Sequence, residues 1–211
     1  MDISIVEKLK EQLKKTLPGL DAQLLMASDV RFKFSDIEVK QRDAKRSSVL
    51  ILLYPINNCI HIVLIQRPTY AGVHSGQISF PGGQFEESDK NPVDTALREA
   101  SEEVGINADE VRIIGQLTNL YIPPSNYLVT PVIGFTDEHP LFQLQASEVK
   151  NIIETPLINF LKKETIKSTT IRLENGMSFE TPYYDIKGNV VWGATAMMMS
   201  EFVVILKKLV E

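Results

Sequence analysis

Cysteine is nearly absent from this chain: Cys59 is the only one among 211 residues, which excludes intramolecular disulfides and cysteine-rich metal sites. Basic residues are in the minority, since 22 Lys and Arg face 27 Asp and Glu for a net charge of −5, and this argues against a general nucleic-acid binder. No apolar run approaches the about 20 residues of a membrane span. Residues 1–15 carry charges throughout, unlike a signal peptide. We therefore expect a cytoplasmic protein with neither nucleic acid nor membrane as a partner.

Two common catalytic patterns are also missing. The sequence shows no P-loop and no Ser/His/Asp arrangement, so a Walker-type ATPase and covalent acyl chemistry are poor fits. A polyanionic substrate would have to be bound by a metal ion or by a local group of basic residues. The best candidates for such a group are Arg42, Lys45, Arg46 and Arg67.

The length and the 44% hydrophobic content favour one domain spanning residues 1–211, with helices at about 2–16 and about 194–209 as additions to its core. Apolar stretches at 48–54 and 61–66 predict a buried hairpin, and 111–117 and 127–135 predict further strands. A helix is predicted over 148–161 and a second hairpin from 169–173 and 179–184. Interleaved strands and helices of this kind indicate an α/β/α sandwich around a mixed sheet. The methionines of the last helix, Met197 to Met199, are expected in the core or at the contact of a homodimer.

The most informative segment is an acidic helix predicted after Pro92. Glu99, Glu102 and Glu103 fall on about one turn, where like charges destabilise an isolated helix. Such crowding calls for a cation, and carboxylate oxygens suit Mg²⁺ or Mn²⁺. The alternative is an ordinary charged surface helix. An apolar stripe would bury the opposite side of the helix; it consists of Val93, Ala96, Leu97, Ala100 and Val104.

Turn and cap residues surround this helix. Gly82 and Gly83 allow close approach of backbone to a ligand, or a positive φ. Asn91 followed by Pro92 is typical of a helix N-cap with proline at the first position. Gly105 occupies the position of a helix C-cap. The implied order is strand, glycine turn, acidic loop and helix.

These residues resemble the signature of the Nudix hydrolase superfamily: a glycine, an acidic residue six positions later, and then Arg-Glu-apolar-x-Glu-Glu-x-Gly-apolar. Gly83, Asp89 and residues 98–106 supply that pattern, with Asp89 in place of Glu and one extra residue in the gap that follows. Residues 67–83 and 95–99 are similar to the coenzyme A pyrophosphatase branch. Pro68 and Gly72 stand where that branch has a small residue and an arginine.

The resemblance implies the same α/β/α fold and a set of roles. Glu99, Glu103 and Glu102, with the carbonyl of Gly82, would hold Mg²⁺ or Mn²⁺, and Arg98 would orient the neighbouring glutamate. The proton of the attacking water would pass to one of the helix glutamates or to Glu148 from a later segment. The residues expected to contact a small nucleotide-derived substrate are Arg67, Arg46, His74 and Gly83.

The implied reaction is metal-dependent hydrolysis of a diphosphate linkage, with coenzyme A or acyl-coenzyme A giving 3′,5′-ADP and a 4′-phosphopantetheine compound. ADP-ribose, NADH or a nucleoside triphosphate are alternative substrates. A third interpretation is a non-catalytic, ligand-sensing Nudix domain, although such a domain does not need three crowded glutamates on one helix.

Overall fold

A computed structural model describes residues 1–31, 43–69, 75–172 and 176–210. The α-helices of these residues are α1 (Ile5–Leu13), α2 (Gly19–Leu24), α3 (Pro92–Val104) and α4 (Gly193–Val210). The strands are β1 (Lys45–Ile56), β2 (Cys59–Gln66), β3 (Ile78–Ser79), β4 (Gly82–Gln84), β5 (Arg112–Gln116), β6 (Leu120–Ile122), β7 (Tyr127–Phe135), β8 (Asn151–Pro156), β9 (Ile166–Arg172), β10 (Ser178–Ile186) and β11 (Asn189–Trp192).

A mixed sheet forms the centre of the molecule, with strand order β3-β2-β1-β7-β5. β1 runs parallel to β7 and antiparallel to β2, β4 pairs with β1, β6 with β7 and β8 with β2. The predicted hairpin between β1 and β2 is present. Asn57 and Asn58 turn it with positive φ angles of 50° and 61°, as a two-residue hairpin loop requires.

Helices cover both faces of this sheet. Leu50, Leu52 and Tyr54 of β1 pack with α3, whereas Ile51 and Leu53 belong to the core that includes α1 and α4. Because successive side chains of a strand point to opposite faces, a continuous apolar run such as this one fits a strand buried on both sides. The predicted α/β/α sandwich around a mixed sheet is thus confirmed.

The helix predicted over residues 148–161 is wrong. Glu148 lies in a turn, residues 151–156 form β8, and a 3₁₀-helix follows at Leu157–Leu161. In β8 the buried side chains alternate, with Ile153 and Thr155 inside. β-Branched residues favour this pleated arrangement, and Pro156 has no N–H for a helical hydrogen bond.

A second, three-stranded sheet with order β11-β10-β9 follows the 3₁₀-helix. The predicted hairpin of residues 169–173 and 179–184 corresponds to β9 and β10, except that Leu173 lies outside the described residues. β11 leads directly into α4, and Met197, Met198 and Met199 lie in the core beside β10 and α1. Within the described ranges, no helix combines the length and hydropathy needed to cross a membrane.

Candidate active site

Helix α3 carries the acidic face, and the predicted caps fix its ends. The Asn91 side chain accepts from the N–H groups of Val93 (2.8 Å) and Asp94 (3.2 Å), and Pro92 opens the helix. Gly105 ends the helix in the left-handed conformation with φ 72°. The predicted apolar stripe packs against the central sheet. Beside this stripe, Glu103 and Glu99 meet Gly82 and Gly83 of β4.

Glu103 is the most buried of these glutamates. Its side chain is 2% exposed and its Oε2 accepts the N–H of Gly82 at 2.8 Å. The Nη1 of Arg67 lies 3.8 Å from Oε1. Gly82 has a φ of 151° and packs so closely on β1 that a Cβ would overlap the carbonyl of Ser48. Glycine is therefore required at position 82 for sterics and backbone conformation.

Glu99 lies against the second glycine. A Cβ on Gly83 would overlap the Glu99 carboxylate, and the Glu99 side chain is 14% exposed. The two adjacent glycines thus let two carboxylates of α3 approach the backbone of β4, one through a hydrogen bond to position 82 and the other through close packing on position 83.

Burial disfavours the ionised form of both carboxylates. It raises the pKa of Glu103 to about 7, against the opposing effects of the Gly82 hydrogen bond and Arg67 and with the help of charge on Glu99 and Glu148. Burial also raises the pKa of Glu99, while Arg98 lowers it. The folded protein thus disfavours negative charge on both side chains when no cation is bound to them.

Arg98 connects the acidic loop to the helix. Its Nε and Nη2 donate to the two oxygens of Asp89, both at 3.0 Å, and its Nη1 donates to Glu99 at 3.0 Å. Nη1 also lies 3.5 Å from Glu102, whose side chain is 56% exposed. Nη2 donates to the Gln84 carbonyl at 2.9 Å. Arg98 therefore contacts β4, the loop and α3 at once.

Asp89 is buried and saturated with donors. Besides Arg98, it accepts from the Thr95 hydroxyl at 3.0 Å and from the Glu86 N–H at 2.9 Å. The hydrogen bonds from Arg98 lower the pKa of Asp89 to about 2. Such a bidentate, charge-assisted pair fixes the guanidinium plane, so Asp89 holds Arg98 in the orientation in which it meets Glu99.

Glu148 approaches the carboxylates from the turn before β8. This segment is bonded to the end of α3, since Gln145 N–H donates to the Glu103 carbonyl at 3.0 Å and Gln143 N–H to the Val104 carbonyl at 2.9 Å. Glu148 is exposed, and its charge helps to raise the pKa values of Glu99 and Glu103. The turn before β8 thus brings a further carboxylate, that of Glu148, to the border of the site.

The family model of the NUDIX domain matches residues 44–162, which include β1, the glycine turn, α3 and the turn of Glu148. The chain belongs to the Nudix family. Among its curated relatives are proteins named uncharacterized Nudix hydrolase NudL. That of Photorhabdus laumondii is 32% identical over 140 residues, which are 66% of this chain and 74% of the relative. That of Yersinia enterocolitica is 32% identical over 138 residues, 65% and 70% of the two chains. The protein is a Nudix hydrolase, an enzyme acting on phosphorus-containing anhydrides.

Solved Nudix structures share this fold. The Nudix hydrolase RenU from M. smegmatis aligns with a TM-score of 0.51 and 12% identity, over 78% of this chain and 87% of that chain. A C. elegans Ap4A hydrolase binary complex aligns with a TM-score of 0.52 and 14% identity, over 78% and 98% of the two chains. At these identities the likeness concerns the fold alone.

Most of the site residues predicted from the sequence lie close together in the Nudix site. Glu99, Glu103, Gly82, Gly83 and Arg67 lie together, and the contact that Gly82 makes with Glu103 uses its N–H group. Arg98 pairs with Glu99 as expected. Glu102 is the outermost of the three helix glutamates.

Arg46 is exposed and its guanidinium stacks on the Phe85 ring, 3.9 Å from the centroid. His74 lies outside the described residues, as do Arg42 and Gly72.

Asp89 belongs to this hydrogen-bonded group through Arg98, and the sequence alone assigned it no role. The signature spacing placed an acid there, but its partner Arg98 is nine residues away across a loop. Local periodicity does not reveal such a pair. One feature of the sequence does indicate this pair: Arg98 is the single arginine among the acidic residues of the signature. A guanidinium surrounded by carboxylates tends to form a bidentate pair with one of them.

We predict that Asp89→Asn lowers both the activity and the stability of this Nudix hydrolase. Catalysis falls because Arg98 loses the partner that orients it, and stability at pH 7 falls by about 1 to 2 kcal/mol because a charge-assisted pair is lost. The pKa of Asp89 is depressed to about 2 when folded. Its stabilising contribution is therefore present above the unfolded-state pKa of about 3.9 and is lost as the pH falls towards 2.

Urea unfolding of wild type and Asp89→Asn at pH 7 and pH 3 checks this expectation. The difference in unfolding free energy should shrink at the lower pH. Asp109→Asn, at an exposed position of the 3₁₀-helix Ala108–Glu110, is the matched control. A difference of equal size at both pH values would contradict the assignment of the stabilising charge to Asp89.

Cys59 opens β2, where its Sγ lies 4.0 Å from the Ile60 carbonyl. No step of anhydride hydrolysis in the proposed scheme uses a thiol. We therefore expect Cys59→Ala to leave kcat within about twofold of wild type. A well-folded but inactive Cys59→Ala protein would reveal a nucleophile that the carboxylate account omits.

Proposed function

We propose that this enzyme hydrolyses the diphosphate linkage of a nucleoside diphosphate derivative, with coenzyme A or an acyl-coenzyme A as the leading substrate and 3′,5′-ADP and a 4′-phosphopantetheine compound as products. The observation that carries the proposal is a pair of carboxylates, the buried Glu103 and the partly buried Glu99, packed on Gly82 and Gly83 with Arg67 alongside. The coenzyme A assignment rests on the similarity of residues 67–83 and 95–99 to that branch. ADP-ribose, NADH and nucleoside triphosphates are the competing substrates.

Nudix hydrolases generally use divalent metal ions, and the residues of this site fit one. Their donors are oxygens, which Mg²⁺ and Mn²⁺ prefer. Burial raises the pKa values of Glu99 and Glu103, so a cation bound beside them would stabilise their ionised forms. Among the described residues, no three acidic, histidine or cysteine side chains stand ready to enclose an ion. Since Arg98 engages Glu99 and Glu102, we expect these side chains to reorient when an ion binds.

We propose Mg²⁺ or Mn²⁺ held by Glu99 and Glu103, with Glu102 and the Gly82 carbonyl as further ligands. When bound there, such an ion would supply positive charge to the diphosphate oxygens. The chain's own residues bind and position the substrate. Arg67 is 29% exposed beside Glu103, so its guanidinium is available to a phosphate oxygen. Arg98 holds Glu99 in place through the Asp89 pair.

Water is the proposed nucleophile, and a carboxylate must accept its proton. Glu148 and the α3 glutamates are the candidates. Glu148 has the advantage of exposure, whereas Glu99 and Glu103 are enclosed. Glu148→Gln should then lower kcat. A full rate in this variant would assign the proton to a glutamate of α3.

A substrate panel tests the proposed function. We expect kcat/KM for coenzyme A and acetyl-coenzyme A to exceed that for ADP-ribose, NADH and nucleoside triphosphates in the presence of Mg²⁺ or Mn²⁺. Glu103→Gln is the negative control for activity from contaminating hydrolases, because it removes a proposed ligand of the metal ion without changing side-chain volume. Efficient ADP-ribose cleavage without coenzyme A turnover would overturn the substrate assignment and leave the hydrolase assignment intact.

A further inference from the structure

A cavity of about 960 Å³ lies between the β2–β3 edge of the central sheet and the three-stranded sheet. Its walls are mainly apolar and include Ile78, Phe179, Trp192 and Met197. The rings of Phe179 and Trp192 lie 5.9 Å apart. This space is large enough for a nucleotide-sized ligand, and its aromatic side chains offer contacts to a planar group.

Arg31 is a cation in this cavity, and no counterion for it occurs among the described residues. Its Nη2 donates to the carbonyl of Tyr121, whereas its Nε is buried and has no hydrogen-bond partner. No carboxylate of the described residues forms an ion pair with it. A buried donor without an acceptor costs about 1 to 3 kcal/mol, so Arg31 is a ready partner for an anionic ligand.

The charge of the cavity lining has the opposite sign to that of the chain. Arg31 and Arg172 both line the cavity, and no aspartate or glutamate of the described residues does so. The chain as a whole has a net charge of −5. A local positive region with apolar and aromatic walls suits a ligand that joins a phosphate to a planar group.

The cavity and the carboxylate site share one edge of the central sheet. Gln66 and Gln77 line the cavity. Arg67, next after Gln66, donates its backbone N–H to the Gln77 carbonyl at 3.0 Å and places its side chain 3.8 Å from Glu103. Since adjacent residues of an extended chain point to opposite faces, a long substrate lying across this edge contacts both sites.

We propose that Arg31 binds a phosphate of the substrate that is remote from the scissile diphosphate, and that it thereby sets substrate specificity. This inference rests on the proposed function for the class of substrate, a nucleotide with an additional phosphate such as the 3′-phosphate of coenzyme A. Arg31 lies outside residues 44–162 that match the family model. It supplies a cation from the N-terminal segment, in a chain that has Gly72 where the coenzyme A branch has an arginine.

Binding without turnover tests this role. Trp192 is the only tryptophan of the chain and lines the cavity, so its fluorescence reports on occupancy. Adenosine 3′,5′-bisphosphate and adenosine 5′-monophosphate are titrated in buffer with chelator. We expect the bisphosphate to bind wild type about tenfold more tightly or better, and the two ligands to bind Arg31→Gln within about twofold of each other.

Arg112→Gln is the control, because Arg112 is an exposed arginine paired with Asp137, away from the cavity. It should keep the wild-type preference. Arg31→Lys retains the charge and lacks the guanidinium fork, so its preference should fall about threefold or more; this variant decides the matter if Arg31→Gln does not fold. Equal binding of both nucleotides by wild type, or a full preference in a folded Arg31 variant, would overturn the inference.

The turnover assay separates this inference from the proposed function. If wild type binds the bisphosphate through Arg31 but does not hydrolyse coenzyme A, the phosphate-binding role stands and the substrate assignment fails. If coenzyme A is hydrolysed and Arg31→Gln shows the wild-type preference of kcat/KM for coenzyme A over dephospho-coenzyme A, the proposed function stands and the role of Arg31 is refuted.

Discussion

Glu103→Gln is expected to lower kcat by at least about a hundredfold while the protein remains folded, and Glu99→Gln should do the same. Groups that stabilise charge in the transition state have effects of this size. The amide that Glu103→Gln introduces keeps an oxygen that can accept the Gly82 N–H, the bond that Glu103 Oε2 makes at 2.8 Å. The substitution therefore removes charge and preserves volume and the main hydrogen bond.

Stability distinguishes this loss from damage to the fold. The pKa of Glu103 is raised to about 7, so the folded state disfavours the ionised form. The associated stability is present below the unfolded-state pKa of about 4.3 and is lost as the pH rises through 7. In metal-free buffer at pH 8, Glu103→Gln should have a Tm equal to or above that of wild type.

Glu164→Gln, at an exposed position of the 3₁₀-helix Lys163–Thr165, controls for the substitution itself and should alter neither kcat nor Tm. Near-normal turnover by Glu103→Gln or Glu99→Gln would remove that residue from the catalytic site. A large drop in the Tm of Glu103→Gln would instead assign Glu103 a structural role.

Removal of divalent ions is expected to abolish turnover, and Mg²⁺ or Mn²⁺ should restore it. Burial raises the pKa values of Glu99 and Glu103, and the charge of Glu148 adds to this effect. A bound cation would stabilise the ionised forms of both carboxylates. Oxygen ligands of this type bind hard cations. Activity measured in excess chelator, and again after each ion is added back, checks the requirement.

Binding of the ion can also be followed without substrate. A ligand that binds only the folded state raises its stability, so Mg²⁺ or Mn²⁺ should raise the Tm of wild type. The increase should be absent or much smaller in Glu103→Gln and retained in Glu164→Gln. Full turnover in chelator would refute the metal requirement, and an equal rise of Tm in Glu103→Gln would place the ion elsewhere.

Local features of the sequence were sufficient to predict α3 and its surroundings. The side chain of Asn91, the ring of Pro92 and the left-handed Gly105 act within a few residues of the helix ends, so their roles follow from sequence order. The apolar stripe with its helical period likewise fixed which side of α3 is buried.

The segment after Glu148 shows where such reasoning fails. A short apolar run fits a helix or a buried strand equally well by periodicity, and only the partner strand β2 selects the strand in residues 151–156. The same limit applies to contacts between distant residues. Asp89 with Arg98, and Arg31 with Trp192 in one cavity, arise from the fold and have no local pattern to announce them.

Product analysis of a coenzyme A digest tests the central claim most directly. The purified protein is incubated with coenzyme A and Mg²⁺ or Mn²⁺ in ¹⁸O-labelled water, beside Glu103→Gln, and the products are identified by mass spectrometry. The account predicts 3′,5′-ADP and 4′-phosphopantetheine in equal amounts, one ¹⁸O atom in one of their phosphates, and almost no product from the variant. Intact coenzyme A, release of inorganic phosphate with dephospho-coenzyme A, or equal turnover by Glu103→Gln would contradict it.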